Sequence, residues 1–155
     1  MKIPTNIFLK YILETFGLIF FLTHDDFPQK RHPTILVGYD IDKDILYLVS
    51  GTSQVSKRRK YIQNVGFDIQ TLVISGPKES NSLTSPTAFD CNQVIEVSLS
   101  SFCAKIDSND LKRLDTINTK TMKKIYNGIQ LSTVVEPYIK EKVKKYFLDN
   151  VKGRN

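Results

Sequence analysis

The sequence predicts an α+β fold: a small, strongly bent antiparallel sheet or barrel with one helix before it and two after it. Three observations carry that expectation. Short apolar runs of strand length cluster in the middle of the chain, separated by polar turns. Apolar residues near both ends repeat instead at the helical period. At 155 residues, 41% of them hydrophobic and 25% charged, the chain suits one globular domain with a real core.

Taken in order, Ile7, Phe8, Tyr11, Ile12 and Thr15 recur at helical spacing with Lys10 and Glu14 on the other side. Thr5 or Asn6 can cap this helix, and Gly17 ends it. "LIFFLT" (18–23), bulky and branched or aromatic, reads as a first strand. "HDDFPQK" reads as a turn, with His24, Asp25 and Asp26 as turn formers. "TILVGY" (34–39) and "ILYLVS" (45–50) form a hairpin across "DIDKD". The basic "TSQVSKRRKY" reads as a loop, and "VGFDIQTLVIS" returns to strand-like alternation. "GPKESNSLTSPT" is a loop by its turn formers, and "AFDCNQVIEVSLSSF" reads as one further strand. "CAKIDSNDLKRLDTIN" mixes a turn, a possible single helical turn and a short strand at 113–117.

Asn118 or Thr119 then caps a helix whose stripe is Met122, Ile125, Tyr126, Ile129 and Gln130 or Leu131, with Lys120, Lys123 and Lys124 outside. Pro137 suits the first turn of a last helix, striped by Val135, Tyr138, Ile139, Val143, Tyr146 and Phe147. There is no internal repeat and no linker. One domain over residues 1–155 is expected: an N-terminal helix (1–15), a core of barrel and helix (16–132), and an extra C-terminal helix and tail (133–155).

A net charge of +6 leans toward anionic partners such as nucleic acid, against the plainer reading of solvated lysines. Cys91 and Cys103 give no disulfide framework and read as free thiols in a reducing compartment. His24 and His32 lie far from both, so no zinc spacing exists, and neither metal nor cofactor is expected. The apolar "IFLKYILETFGLIFFL" (7–22) is interrupted by Lys10, Glu14 and Gly17. Its uncharged part falls short of the roughly 20 residues a membrane span requires. No cleavage site follows it, so a cytoplasmic protein without membrane association is expected.

Five stretches, in order, resemble the MazF/PemK-like toxins. "FGLIFFLTHDD" resembles that family's opening strand, "KRHPTILVG" its "(H)RPALVL" motif, and "ILYLVSGTSQ" its third strand ending in "TSQ" or "TTQ". "SPTAFDCNQVIEVSLSSF" resembles the strand carrying "ADQ", and "KRLDTINTKTMKKIYNGIQLS" the closing segment and helix. The resemblance covers about residues 16–132. It implies an SH3-like antiparallel barrel, a homodimer neutralised by a cognate antitoxin protein, and metal-independent endoribonuclease activity on single-stranded RNA.

Such cleavage uses the adjacent 2′-hydroxyl as nucleophile. It needs proton transfer and stabilisation of charge on the phosphorane. The resemblance gives these roles to the arginine of "RP" and the threonine after the third strand. Thr52 matches the threonine, with Ser53 and Gln54 lining the same groove, although a polar turn is the plain alternative. In this chain His32 stands directly before the proline and Arg31 one step earlier. Strand side chains alternate, so a slip of one residue changes the face. His32 could replace the arginine as acid or base. Arg31 could still reach if the strand begins only after Pro33. Alternatively the site binds without cutting, or His32 is only a half-exposed residue at a strand mouth.

Lys57, Arg58, Arg59 and Lys60 would rim the RNA groove, with Tyr61 stacking on a base, unless the loop is merely solvated. Asp90, Asn92 and Gln93 resemble "ADQ"; otherwise Asp90 and Asn92 read as hydrogen-bonded residues at a strand start. The alternatives to a toxin ribonuclease are a catalytically silent SH3-like barrel that binds RNA or a protein, and an unrelated interaction module.

Overall fold

A single strand, Ile45–Thr52, organises the sheet by pairing along both its edges. The structure is a computed structural model that describes residues 5–24, 27–108 and 115–152. In chain order the described elements are α1 (Thr5–Glu14), β1 (Leu18–His24), β2 (Phe27–Asp40), β3 (Ile45–Thr52), α2 (Val55–Val65) and a 3₁₀ turn (Ile69–Thr71). They continue with β4 (Leu72–Ser75), β5 (Thr87–Asp90), β6 (Ile95–Ser98), α3 (Leu99–Ser108), β7 (Asp115–Thr116), α4 (Thr119–Leu131) and α5 (Pro137–Lys152). The fold is α+β, a curled antiparallel half-barrel with an N-terminal helix and two C-terminal helices, as the sequence predicts.

The strand order is β4-β5-β3-β2-β1-β7, and β6 joins β3 on the edge that β5 also uses. β2 pairs β3 from Thr34↔Ser50 to Asp40↔Ile45, with a register shift between Leu36 and Gly38. On the opposite edge β6 pairs Ile45 to Leu48, and β5 pairs Gly51 and Thr52.

Both faces of the sheet are covered, which is why its strands read as continuous apolar runs. On one face Ile19, Ile35, Val37, Tyr47 and Val49 pack against Met122, Ile125 and Ile129 of α4 and Ile139, Val143 and Phe147 of α5. On the other face Leu18, Phe20, Leu22, Leu36, Leu46 and Leu48 pack against Ile12 and Phe102. Phe20 and Phe102 meet edge to face at 5.7 Å, a geometry worth about 0.5–1.5 kcal/mol beyond the area it buries. The Asn118 carboxamide accepts from Thr121 N at 2.8 Å and caps α4, and Pro137 opens α5. Cys91 is buried and Cys103 half-buried, both as free thiols, and burial pushes the Cys91 thiol pKa up. Among the described residues no helix is long and apolar enough to cross a membrane.

The local structure departs from the sequence reading at six points. Of "VGFDIQTLVIS" only Leu72–Ser75 is a strand, β4, because Gly66 caps α2 in the left-handed region and Asp68 caps the 3₁₀ turn Ile69–Thr71 before it. The face of α1 differs: Ile12 is buried and Leu9 and Leu13 pack beside it, while Ile7 and Tyr11 are exposed. β2 starts at Phe27 and not after Pro33, because β1 offers an edge to it through Phe21↔Pro33, Leu22↔His32, Thr23↔Arg31 and His24↔Phe27. His24 is therefore in a strand; Asp25 and Asp26 lie outside the described residues. The basic segment is a helix, α2. It lacks Gly and Pro until Gly66, whose φ of +86° ends it with N–H bonds to Ile62 O and Gln63 O. The stretch 88–102 is two strands and the start of a helix. Asp90 Oδ1 accepts from Asn92 N at 3.0 Å and turns the chain after β5, and Ser98 Oγ accepts from Ser101 N at 3.2 Å and starts α3. Of the short strand expected at 113–117, β7 covers Asp115–Thr116 and Ile117 follows it; residues 109–114 lie outside the described residues.

α5 is tied to the β2–β3 turn by a buried carboxylate. Asp40 is 1% exposed. Its Oδ1 accepts from the backbone N–H of Asp42 and Lys43, and its Oδ2 accepts from the Tyr138 hydroxyl, with Lys142 Nζ at 3.8 Å. The Tyr138 bond, helped by the turn N–H groups and Lys142, holds the Asp40 carboxyl below its usual range against the opposing effect of burial. The same bond raises the Tyr138 phenol to about 12. Asp40 thus stabilises the fold above its unfolded pKa of about 4, and that contribution is lost as pH falls through its lower folded value. Tyr138 stabilises it below the ordinary 10.0, and that contribution is lost as pH rises toward about 12. Tyr138→Phe is expected to lower the Tm by a few degrees at neutral pH and to flatten the alkaline loss of stability. Thermal melts from pH 6 to 12 check this; superimposable curves for both proteins would contradict it.

Candidate functional site

Between the two short strands that share the outer edge of β3, Val49 and Ser50 have no partner on that side. A cleft of about 490 Å³ opens there. Three elements meet around it. β2 and β3 supply His32, Ser50, Gly51 and Thr52, and the β5–β6 region supplies Ala88, Asp90, Gln93 and Ile95. α2 and its cap supply Gln54, Lys57, Arg58 and Tyr61, whose spacing of three and four places them on one helical face.

β3 leads directly into this helix. The Thr52 hydroxyl accepts from Gln54 N at 3.2 Å, and Gln54 O accepts from Arg58 N at 3.1 Å. The adjoining face of α2, with Ile62 one turn beyond Arg58, is buried against Leu72 and Ala88. Gln54, Lys57, Arg58 and Tyr61 therefore point where the cleft is.

His32 stands on the same strand face as Thr34, whose hydroxyl donates to His32 O at 3.0 Å and lies 3.2 Å from Ser50 Oγ. The His32 ring is half-buried, with Nδ1 3.3 Å from Gly51 O, a hydrogen bond when Nδ1 carries a proton. Arg31 pairs with Thr23 in the strand, and its side chain lies outside the described residues.

Arg58 is the most constrained cation of the cleft. Its guanidinium carbon lies 5.2 Å from the Tyr61 ring centroid, and its Nη1 lies 3.6 Å from Asp90 Oδ2. Asp90 is 5% exposed. Its Oδ1 accepts from both the backbone N and the side-chain Nδ2 of Asn92, each at 3.0 Å. Asn92 Nδ2 also donates to Thr71 Oγ1 at 2.8 Å, and that hydroxyl donates to Asp68 O. The carboxylate is thus anchored on one oxygen and aimed at Arg58 with the other.

Of the residues singled out in the sequence, His32, Thr52, Gln54, Lys57, Arg58 and Tyr61 come together in the cleft. Ser53, Arg59 and Lys60 are exposed and outside its lining. Asp90 and Gln93, which the resemblance matches to "ADQ" without giving them a role, also belong to the lining. The signal that could have placed them is "FDCNQ", an Asx turn after an apolar run, which brings a carboxylate and an amide back toward the strand edge. With two cations against one carboxylate, two amides, two hydroxyls, an imidazole and a phenol, the lining suits an anionic ligand with a planar group. No family model matches the chain, and no curated protein matches it.

Gly51 sets the spacing at the cleft floor. A Cβ there would meet Thr87 Cγ2 at 2.5 Å and Phe89 Cε1 at 2.9 Å, both packed side chains of β5. Gly51→Ala is expected to cost about 1–3 kcal/mol of stability. Urea unfolding checks it as a lower midpoint at unchanged slope; an unchanged midpoint would show that β5 can move aside.

Proposed function

We propose that the protein is a metal-independent endoribonuclease acting on single-stranded RNA, and that the cleft is its active site. The observation that carries the reading is the convergence of His32 and Thr52 from the hairpin with Lys57, Arg58 and Tyr61 from one face of α2. The ordered resemblance to the MazF/PemK-like toxins supports the same reading. With it come the finer expectations of a toxin–antitoxin role, a homodimer and a cognate antitoxin partner.

The chemistry asked of the cleft is transphosphorylation. The 2′-oxygen attacks the neighbouring phosphorus, the bond from phosphorus to the 5′-oxygen breaks, and a cyclic phosphate and a 5′-hydroxyl result. One proton leaves the 2′-hydroxyl and one reaches the leaving oxygen. His32 is the group of the cleft whose ring nitrogens can both accept and donate a proton, and it takes the acid–base role. The Thr52 hydroxyl donates a hydrogen bond to a phosphoryl oxygen, the cations hold the strand, and the Tyr61 ring stacks on a base.

One observation favours a second reading. His32 occupies the position before the proline where the family motif has arginine, so the cleft could bind RNA without cutting it. Incubation of the purified protein with labelled single-stranded RNA in EDTA separates the two. Cleavage is expected, slowed about a hundredfold or more in His32→Ala and Thr52→Ala. Salt-dependent binding without products would select the silent barrel. Equal cleavage by wild type and both variants would remove the cleft from the chemistry.

A further inference from the structure

The cleft holds two cations in different states. Lys57 is exposed and makes no ion pair among the described residues. Arg58 is clamped, with Tyr61 on one side and Asp90 on the other. The clamp is built from below, since the Asn92–Thr71–Asp68 hydrogen bonds fix the carboxylate that faces it. The contact to Asp90 is 3.6 Å, longer than a hydrogen bond, and Asp90 Oδ2 accepts none. The side chain of Arg58 is 30% exposed on the cleft side, and its five N–H donors make no hydrogen bond among the described residues. An ion pair that orients a guanidinium while leaving its donors unused is what a phosphate-binding fork requires. The side chain is ordered before the ligand arrives, and two parallel N–H groups remain for two phosphoryl oxygens.

We propose that Arg58 is the arginine that binds the reacting phosphate, taking the role the resemblance gives to the arginine of "RP", and that Asp90 is its positioning residue. This rests on reading the cleft as an RNA site. It resolves the displaced "RH" pair: the strand need not carry the phosphate arginine, because α2 brings one into the cleft from the other side. His32 then serves in proton transfer and not as a charge substitute.

The test measures cleavage and binding of one labelled single-stranded oligoribonucleotide in EDTA, for wild type, Arg58→Ala, Arg58→Lys, Asp90→Asn and Arg31→Ala. Arg58→Ala is expected to lower kcat about a hundredfold. Arg58→Lys should recover little, because an ammonium cannot form the fork. Asp90→Asn puts an amide N–H₂ toward the guanidinium and is expected to lower kcat about tenfold with KM nearly unchanged. In binding, Arg58→Ala should reduce the slope of log K against log salt by about 0.7, one phosphate contact to a single strand. Exposed Lys144 of α5 provides the control: Lys144→Ala should leave that slope unchanged.

Wild-type kcat and salt slope in Arg58→Ala would overturn the assignment, as would the full loss appearing in Arg31→Ala alone. RNA that is bound with an Arg58-dependent slope but never cut refutes the ribonuclease reading and keeps Arg58 as the phosphate ligand. RNA neither bound nor cut refutes both. If Asp90→Asn unfolds, the Arg58 variants still decide, because that residue lies on a partly exposed helix face.

Discussion

The structure depends on how one edge of β3 is divided. A strand of eight residues offers its outer edge to two four-residue strands, β6 over Ile45–Leu48 and β5 at Gly51–Thr52. Neither strand could hold the whole edge, and the chain between them must turn away at Val49 and Ser50. That turn carries Asp90 and Gln93 to the gap. On the far side, β3 runs on through Thr52 into α2. The cleft therefore follows from strand pairing and needs no long loop of its own. Gly51 makes the division possible, because a side chain there would stand inside the van der Waals radii of Thr87 and Phe89.

Around this seam the fold is closely packed. Helices cover both faces of the sheet, and Tyr126 and Phe147 stack at 4.4 Å where α4 meets α5. The buried Asp40 carboxylate closes the far end by joining α5 to the hairpin turn. The cleft-lining groups thus sit on strands and a helix that are themselves fixed, which is the condition for holding side chains in a chosen geometry. Asp90 extends the same logic. It is a buried acid whose charge is answered by an arginine at the cleft and whose second oxygen is satisfied by Asn92.

Much of the architecture is legible in the sequence, since β1 to β3 and the stripes of α4 and α5 bury large apolar residues at clear periods. α2 is not legible in that way: Ile62 alone is fully buried there, so no apolar stripe marks it, and a run of lysine and arginine reads as solvated loop. The face of α1 is misread because apolar residues lie on both sides of it, and only α3 decides which side is covered. The cleft is legible in part. Thr52 and the basic run are local signals, whereas Asp90 acquires a role only once β5 is placed beside β3. Likewise, the register of Arg31 and His32 comes from the ladder Leu22↔His32 and Thr23↔Arg31, because "RHP" gives no register by itself.

The cleft is one part of a basic molecule with a net charge of +6. Eight of the seventeen lysines lie on α4 and α5, none of them in the cleft lining, and any anion would sample them. Titration of ¹⁵N-labelled protein with a short single-stranded RNA, followed by backbone amide shifts, tests most directly whether RNA takes the cleft. The account predicts the largest changes at Gly51, Thr52, Arg58, Tyr61 and Gln93, with small changes along α4 and α5. Shifts confined to Lys120, Lys123, Lys124, Lys144 and Lys145, with the cleft amides unmoved, would contradict it.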